Sequence, residues 1–160
     1  MKKMRTSHTL MLICAVCGAL LLGSCTRDEE PFGESFVYLA DENGNTSAEI
    51  GRTAATVSTY WVYLSTRRLS EREEVYYEFQ VGSGLKEGVD FKQVPTTASP
   101  LIFMPGIYEM PVRIEWLSNA DLDPAGDNTL RIVLTGTSSG FTLGYPGPAQ
   151  RGKEYVITKK

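Results

Sequence analysis

Histidine is almost missing from this chain. His8 is the only one, and the three cysteines, Cys14, Cys17 and Cys25, all fall within the first 25 residues. Residues 26–160 therefore carry neither imidazole nor thiol, which excludes a Ser-His-Asp triad, a cysteine nucleophile, a histidine or cysteine zinc site and any disulfide among them. Basic charge is scarce as well, with 16 Lys and Arg against 19 Asp and Glu. Nucleic-acid binding needs a positive footprint on the phosphates, and this balance argues against it. Phosphate cradling is also disfavoured: Gly82-Ser83-Gly84 lacks the lysine and the helix of a phosphate-binding loop. Long apolar runs are absent too. The longest, Leu10 to Leu22, has thirteen residues, short of the roughly 20 that a membrane-crossing helix requires.

That run has a recognisable setting. Lys2, Lys3 and Arg5 precede it and Leu22-Gly23-Ser24-Cys25 follows, the order of a secretory signal. The last four residues resemble the lipobox of bacterial lipoproteins, in which the cysteine is acylated and becomes the mature N-terminus. The resemblance implies a signal peptide over residues 1–24, lipidation at Cys25 and a lipid anchor in the outer membrane. Thr26-Arg27-Asp28-Glu29-Glu30 resembles the export signal of Bacteroidota surface lipoproteins and implies exposure at the cell surface; a solvated acidic linker would carry the same charges. Residues 25–35, with Pro31 and Gly33, read as an acidic tether. From Cys25 onward the chain holds 13 basic and 19 acidic residues, a net charge of −6. A basic patch docking on anionic lipid is thereby disfavoured, and the membrane is a partner through the lipid alone.

The remainder, residues 36–160, reads as one domain built around Gly88 to Trp116. Tyr108, Met110, Val112, Ile114 and Trp116 alternate with Glu109, Pro111, Arg113 and Glu115, the period of a strand with one buried face. Leu101 to Phe103 is a short apolar strand leading to the Pro105-Gly106 turn. Further strands are expected at Phe36–Leu39, within Ala54–Leu64, at Val75–Val81, Phe91–Val94, Thr129–Thr135 and Tyr155–Thr158. Thr66 to Glu74 holds six charged residues and reads as a solvated loop, and Tyr145-Pro146-Gly147-Pro148 as a rigid turn. About seven strands with no convincing helix predict an all-β fold of two packed layers, a β-sandwich, with a small closed barrel as the alternative. The expected core is Phe79, Phe103, Val112, Ile114, Trp116, Leu130, Ile132 and Leu134.

Gly88-Val89-Asp90-Phe91 resembles the G-x-D-[YF] motif of Calx-beta domains. Leu101-Ile102-Phe103-Met104-Pro105-Gly106, the alternating strand Met110 to Trp116, the acidic loop Asp121 to Asp127 and the strand Thr129 to Leu134 follow in that family's order. Gly140-Phe141-Thr142-Leu143-Gly144 and Tyr155-Val156-Ile157-Thr158 match its end. The chain is also similar to Calx-beta-like and immunoglobulin-like lipoproteins of Bacteroidota, some of them thought to act beside glycan-uptake systems. The resemblance implies an immunoglobulin-like sandwich of seven strands. It also implies a calcium site, for which Asp90, Asp121, Asp123 and Asp127 are the aligned carboxylates.

Three classes of function remain. For catalysis, paired carboxylates of the glycosidase kind are the surviving chemistry, with Glu78, Glu109, Glu115 and Asp90 as candidates. Each lies on a wet strand face or at a turn, so no enzyme is expected. Calcium takes 6 to 8 oxygen ligands, which a loop of three aspartates and backbone carbonyls goes far to supply; the same Asp-Pro and Asp-Asn pairs also suit turns that bond their own backbone. No other cofactor has a motif. Aromatic side chains give the third class: Trp61, Tyr63 and Tyr76 fall opposite the expected core, where flat rings stack on a glycan or an envelope protein. The chain is accordingly expected to be a non-catalytic surface lipoprotein with a glycan- or protein-binding accessory role. The alternatives are a structural envelope protein without a ligand and a calcium-binding, Calx-beta-like adhesion module.

Overall fold

The computed structural model of the chain describes residues 33–160. The signal segment 1–24, the lipid site Cys25 and all but the end of the 25–35 tether lie outside the described residues. Glu34–Lys160 form one unit with its own core.

Ten strands build it: β1 (Phe36–Ala40), β2 (Ser47–Ile50), β3 (Thr56–Ser65), β4 (Glu73–Val81), β5 (Phe91–Gln93), β6 (Leu101–Phe103), β7 (Glu109–Trp116), β8 (Thr129–Thr137), β9 (Thr142–Leu143) and β10 (Glu154–Lys159). They divide into two five-stranded sheets. The first runs β5-β7-β3-β1-β9 and the second β2-β10-β8-β4-β6. The fold is an all-β sandwich of two separate sheets, so the closed-barrel alternative is set aside. A single 3-10 turn at Pro95–Thr97 is the only helical element among the described residues.

Alternation explains which face each strand buries, since successive side chains leave a strand on opposite sides. Val37 and Leu39 of β1, Tyr60, Val62 and Leu64 of β3, and Val112, Ile114 and Trp116 of β7 line the inner face of the first sheet. Val75 and Tyr77 of β4, Leu130, Ile132 and Leu134 of β8, and Tyr155 and Ile157 of β10 answer them from the second. Seven of the eight expected core residues are buried, and Phe79 is half-buried, its ring edge-on to Tyr77 at 5.6 Å. Tyr108 leaves the pattern: it lies beyond the end of β7 and is 37% exposed.

The expected solvated loop before β4 is only partly one. Leu69 is buried, and Glu73 opens β4 with a side chain 1% exposed. Its carboxylate accepts bonds from the Ser139 N–H at 2.9 Å and the Ser138 hydroxyl at 2.8 Å, and from the Ser139 hydroxyl. Burial alone would raise the Glu73 carboxyl; those bonds outweigh it and hold the group below its ordinary value. A buried carboxylate persists where its lone pairs are met in this way.

Candidate functional site

β3 is the middle strand of the first sheet, flanked by β7 and β1. Its side chains Trp61 and Tyr63 point away from the core, and neighbouring strands set what lies beside them. In register, Trp61 stands between Pro111 and Ala40, and Tyr63 between Glu109 and Tyr38. Tyr38 and Tyr63 are stacked, with ring centroids 5.1 Å apart and planes 22° from parallel. Trp61 follows about 7 Å along the strand, two residues on.

A fourth ring comes from outside the strands. Gly144 donates its N–H to Val37 at 2.8 Å, and Tyr145 donates to the Arg151 carbonyl at 2.7 Å. Gly144 has φ +81, and a Cβ there would stand 2.4 Å from the Gln150 carbonyl oxygen, so this turn admits only glycine. It seats Tyr145 against Tyr38 at 4.5 Å and Phe36 at 5.4 Å. Trp61, Tyr63, Tyr38 and Tyr145 are each half-buried and belong to none of the inner packing. They make one aromatic row across three segments of the outer face.

The row has a negative border. Burial raises the Tyr63 hydroxyl first, and the charges of Glu109, Glu42 and Asp41 add to the shift. Asp41 is fixed by bonds from the Asn43 and Asn45 N–H groups, each at 2.8 Å. The Tyr38 hydroxyl is pushed up to about 12 by burial, by its bond with Tyr145 and by the nearby Tyr145 and Tyr63 oxygens. Raised in this way, the Tyr38 and Tyr63 phenols are protonated at neutral pH, so each offers a donor as well as an acceptor.

Tyr76 does not join them. It lies on β4, on the second sheet, and donates its hydroxyl to Glu74 at 2.6 Å. The outer faces of a sandwich look in opposite directions, so the three expected aromatics form no single patch. The glycosidase candidates are scattered too. Glu109 and Glu115 share a face of β7 but lie six residues apart, about 20 Å, well beyond the spacing of a glycosidase pair. Glu78 is on the other sheet.

The aspartates gather at the opposite end of the sandwich from Tyr108. Asp90 was expected at a solvated turn; it is 2% exposed. The Lys159 ammonium lies 3.1 Å from its carboxylate, and both side chains are sealed from solvent. Asn119 and the Lys86 N–H complete its bonds at 2.9 Å each. An oxygen pair so engaged by a buried cation does not fit a calcium ligand. Asp123 accepts from the Ala125 N–H at 2.9 Å, and Asp127 from the Thr129 hydroxyl at 2.6 Å, the self-bonding turns that their neighbours favour. Asp121 is exposed. Among the described residues no three carboxylates converge. A cleft of about 420 Å³ opens beside this loop, bounded by Arg52, Leu122, Asp127, Thr158 and Lys160; it mixes charges of both signs.

Tyr38, Tyr145 and Lys159 are the residues that sequence reasoning missed. Tyr38 alternates with Val37 and Leu39, which is a visible signal. Lys159 continues the inward series Tyr155, Ile157. Tyr145 sits in a turn whose path no periodicity gives. No protein-family model matches this chain, and no curated protein matches it either.

Proposed function

We propose that this chain is a non-catalytic, outer-membrane lipoprotein anchored at Cys25 that captures a glycan on the outer face of its first sheet. The observation that carries the reading is the row Trp61–Tyr63–Tyr38–Tyr145. It is continuous in register and bordered by Glu109, Asp41 and Glu42. Sugar rings stack their apolar faces on such rings, while carboxylates and phenols take the hydroxyls. Strand order supports the immunoglobulin-like subtype. β1, β3, β7 and β5 lie side by side, as do β4, β8 and β10, in the order of strands A, B, E, D and C, F, G of that fold, with β2, β6 and β9 as added edges. The absence of histidine and cysteine after Cys25 supports a role without a Ser-His-Asp triad or a cysteine nucleophile, and the scatter of Glu78, Glu109 and Glu115 supports one without a carboxylate pair.

The half-burial of the rings favours one other reading, a structural spacer in which the row only stiffens the sheet. A glycan array and envelope pull-down with the purified protein separates the two. Under the binding reading, Trp61→Ala and Tyr63→Ala each weaken a hit about tenfold or more, whereas Tyr76→Ala leaves it unchanged. Hits that survive both substitutions, or no hits on either panel, return the protein to the structural reading. The anchor is tested separately: intact mass of membrane-extracted protein should begin at Cys25 with acyl chains attached.

A further inference from the structure

Between β6 and β7 the chain makes a tight turn. Ile107 donates its N–H to the Met104 carbonyl at 2.9 Å, and Gly106 has φ +90. Pro105 followed by a positive-φ glycine is a type II turn, and the side chains that flank its corner are exposed. Those side chains are apolar. Met104 is 52% exposed, Ile107 44% and Tyr108 37%, three of the seven large hydrophobic residues that the described chain leaves open. Three such residues within five positions make a patch rather than the single exposures of an ordinary surface.

The place of this turn matters as much as its composition. The Leu64 N–H donates to the Tyr108 carbonyl at 2.8 Å, and the Leu69 N–H to the Tyr108 hydroxyl at 3.2 Å. One residue on, Ser65 pairs with Phe36 of β1, and the Ser35 hydroxyl bonds Thr66 at 2.9 Å. The turn and the first residues of the domain therefore flank the same end of β3, two strand spacings apart, about 10 Å. Ser35 is ten residue steps on from Cys25, and ten steps fully extended span no more than about 36 Å.

We propose that the Met104–Tyr108 turn inserts into the surface of the bilayer in which Cys25 is anchored, so that the sandwich stands on the membrane by two points, its lipid and this turn. The inference rests on the lipoprotein reading above. A contact of three side chains is weak by itself, but a short tether holds the turn near the lipid at an effective concentration in the millimolar range. Tyr108 is the brace of the turn: its hydroxyl is held by the Leu69 N–H while its ring stays 37% exposed beside Met104 and Ile107. Charge does not drive the contact. Arg67, Arg68 and Arg72 share this end with Glu34, Glu71, Glu74 and Glu109, so the occupant is an apolar, zwitterionic surface and the contact is insensitive to salt. The same arrangement turns the aromatic face to the side, clear of the membrane.

The test uses lipidated full-length protein in phosphatidylcholine–phosphatidylethanolamine vesicles, with an environment-sensitive fluorophore on Ile107→Cys and, as control, on Asp121→Cys at the far end. Once Cys25 is acylated and the signal removed, each variant has one thiol. At position 107 the emission should shift to the blue, be quenched by nitroxide carried on the lipid chains and resist an aqueous quencher, at low and high salt alike. At position 121 the opposite is expected. Equal aqueous quenching at both positions overturns the proposal, as does a partner protein in the extract that alone protects position 107. A second arm separates this from failure of the anchor: an N-terminal histidine tag in place of Cys25, captured on nickel-chelating lipid, holds the same tether on the vesicle. Protection of position 107 there supports the turn whatever Cys25 carries, and its absence there counts against the turn alone.

Discussion

Lys159 and Asp90 place a full charge of each sign where water does not reach. Lys159 also donates to the Leu117 carbonyl at 2.7 Å and the Asp90 carbonyl at 3.1 Å, so every proton of its ammonium has a partner. Such a pair costs desolvation on both sides, and removing one member leaves the other buried and uncompensated. Lys159→Met should therefore destabilise the fold by about 3–5 kcal/mol, and Asp90→Asn added to it should recover part of the loss; urea denaturation of the three proteins measures both. The pair also predicts an acid response. Burial would raise the Asp90 carboxyl, but bonds from Asn119, Lys86 and Lys159 and the charge of Lys159 outweigh it and hold it below its ordinary value. Between the folded and unfolded values the unfolded chain binds more protons. The stabilisation is thus complete above about pH 4 and is lost as pH falls through the folded value. Glu73 acts with the same sign. The urea midpoint should drop on acidification in that window, and less steeply for Lys159→Met. The lysine's burial was legible in the spacing Tyr155, Ile157, Lys159. Its partner was not, because Asp90 lies 69 residues away and reads locally as an ordinary turn acid.

Strands were legible where alternation runs long. β7 and β8 carry long inner series, and β4 carries one from Glu73 to Phe79 before Val81 turns out to solvent; nothing but a sheet accommodates them. β2 and β9 went unread for a physical reason. Ser47-Ala48-Glu49-Ile50 and Thr142-Leu143 are short, lie at sheet edges and pair in parallel with β10 and β1. Their strand character comes from the partner rather than from their own side chains. The aromatic row shows the same division. Trp61 and Tyr63 could be placed outward from β3 alone, but their joining to Tyr38 depends on β1–β3 register, and Tyr145 depends on a turn. That turn is testable. Gly144→Ala forces a Cβ against the Gln150 carbonyl and a positive φ on a residue that resists it, which should cost about 1–3 kcal/mol. Because the turn carries Tyr145, any ligand of the row should also bind more weakly, while Gly140→Ala, at positive φ with open space around its Cβ, should spare the ligand.

At the scale of the molecule, two sheets face each other across a core in which Ile114, Ile132, Leu130 and Ile157 are fully buried. Ile114→Ala should cost about 2–5 kcal/mol, read from the shift in denaturation midpoint at constant slope. The layer count followed from strand pattern alone, since a single open sheet would leave an apolar face uncovered. The partition of strands between the layers did not, and it is what parts Tyr76 from Trp61. The position of β10 has a consequence in time. It lies between β2 and β8, with Ser47 beside Val156 and Ile50 beside Lys159, so a segment from the start of the domain waits for one near its far end. Closure over such a separation is slow, and until it happens β2 has no neighbour and β8 has a bare edge. Until that closure the chain therefore stays pliable. Fragments that stop short of Glu154 keep sticky, unzipped borders, which exposes them to proteolysis while the closed sandwich escapes it.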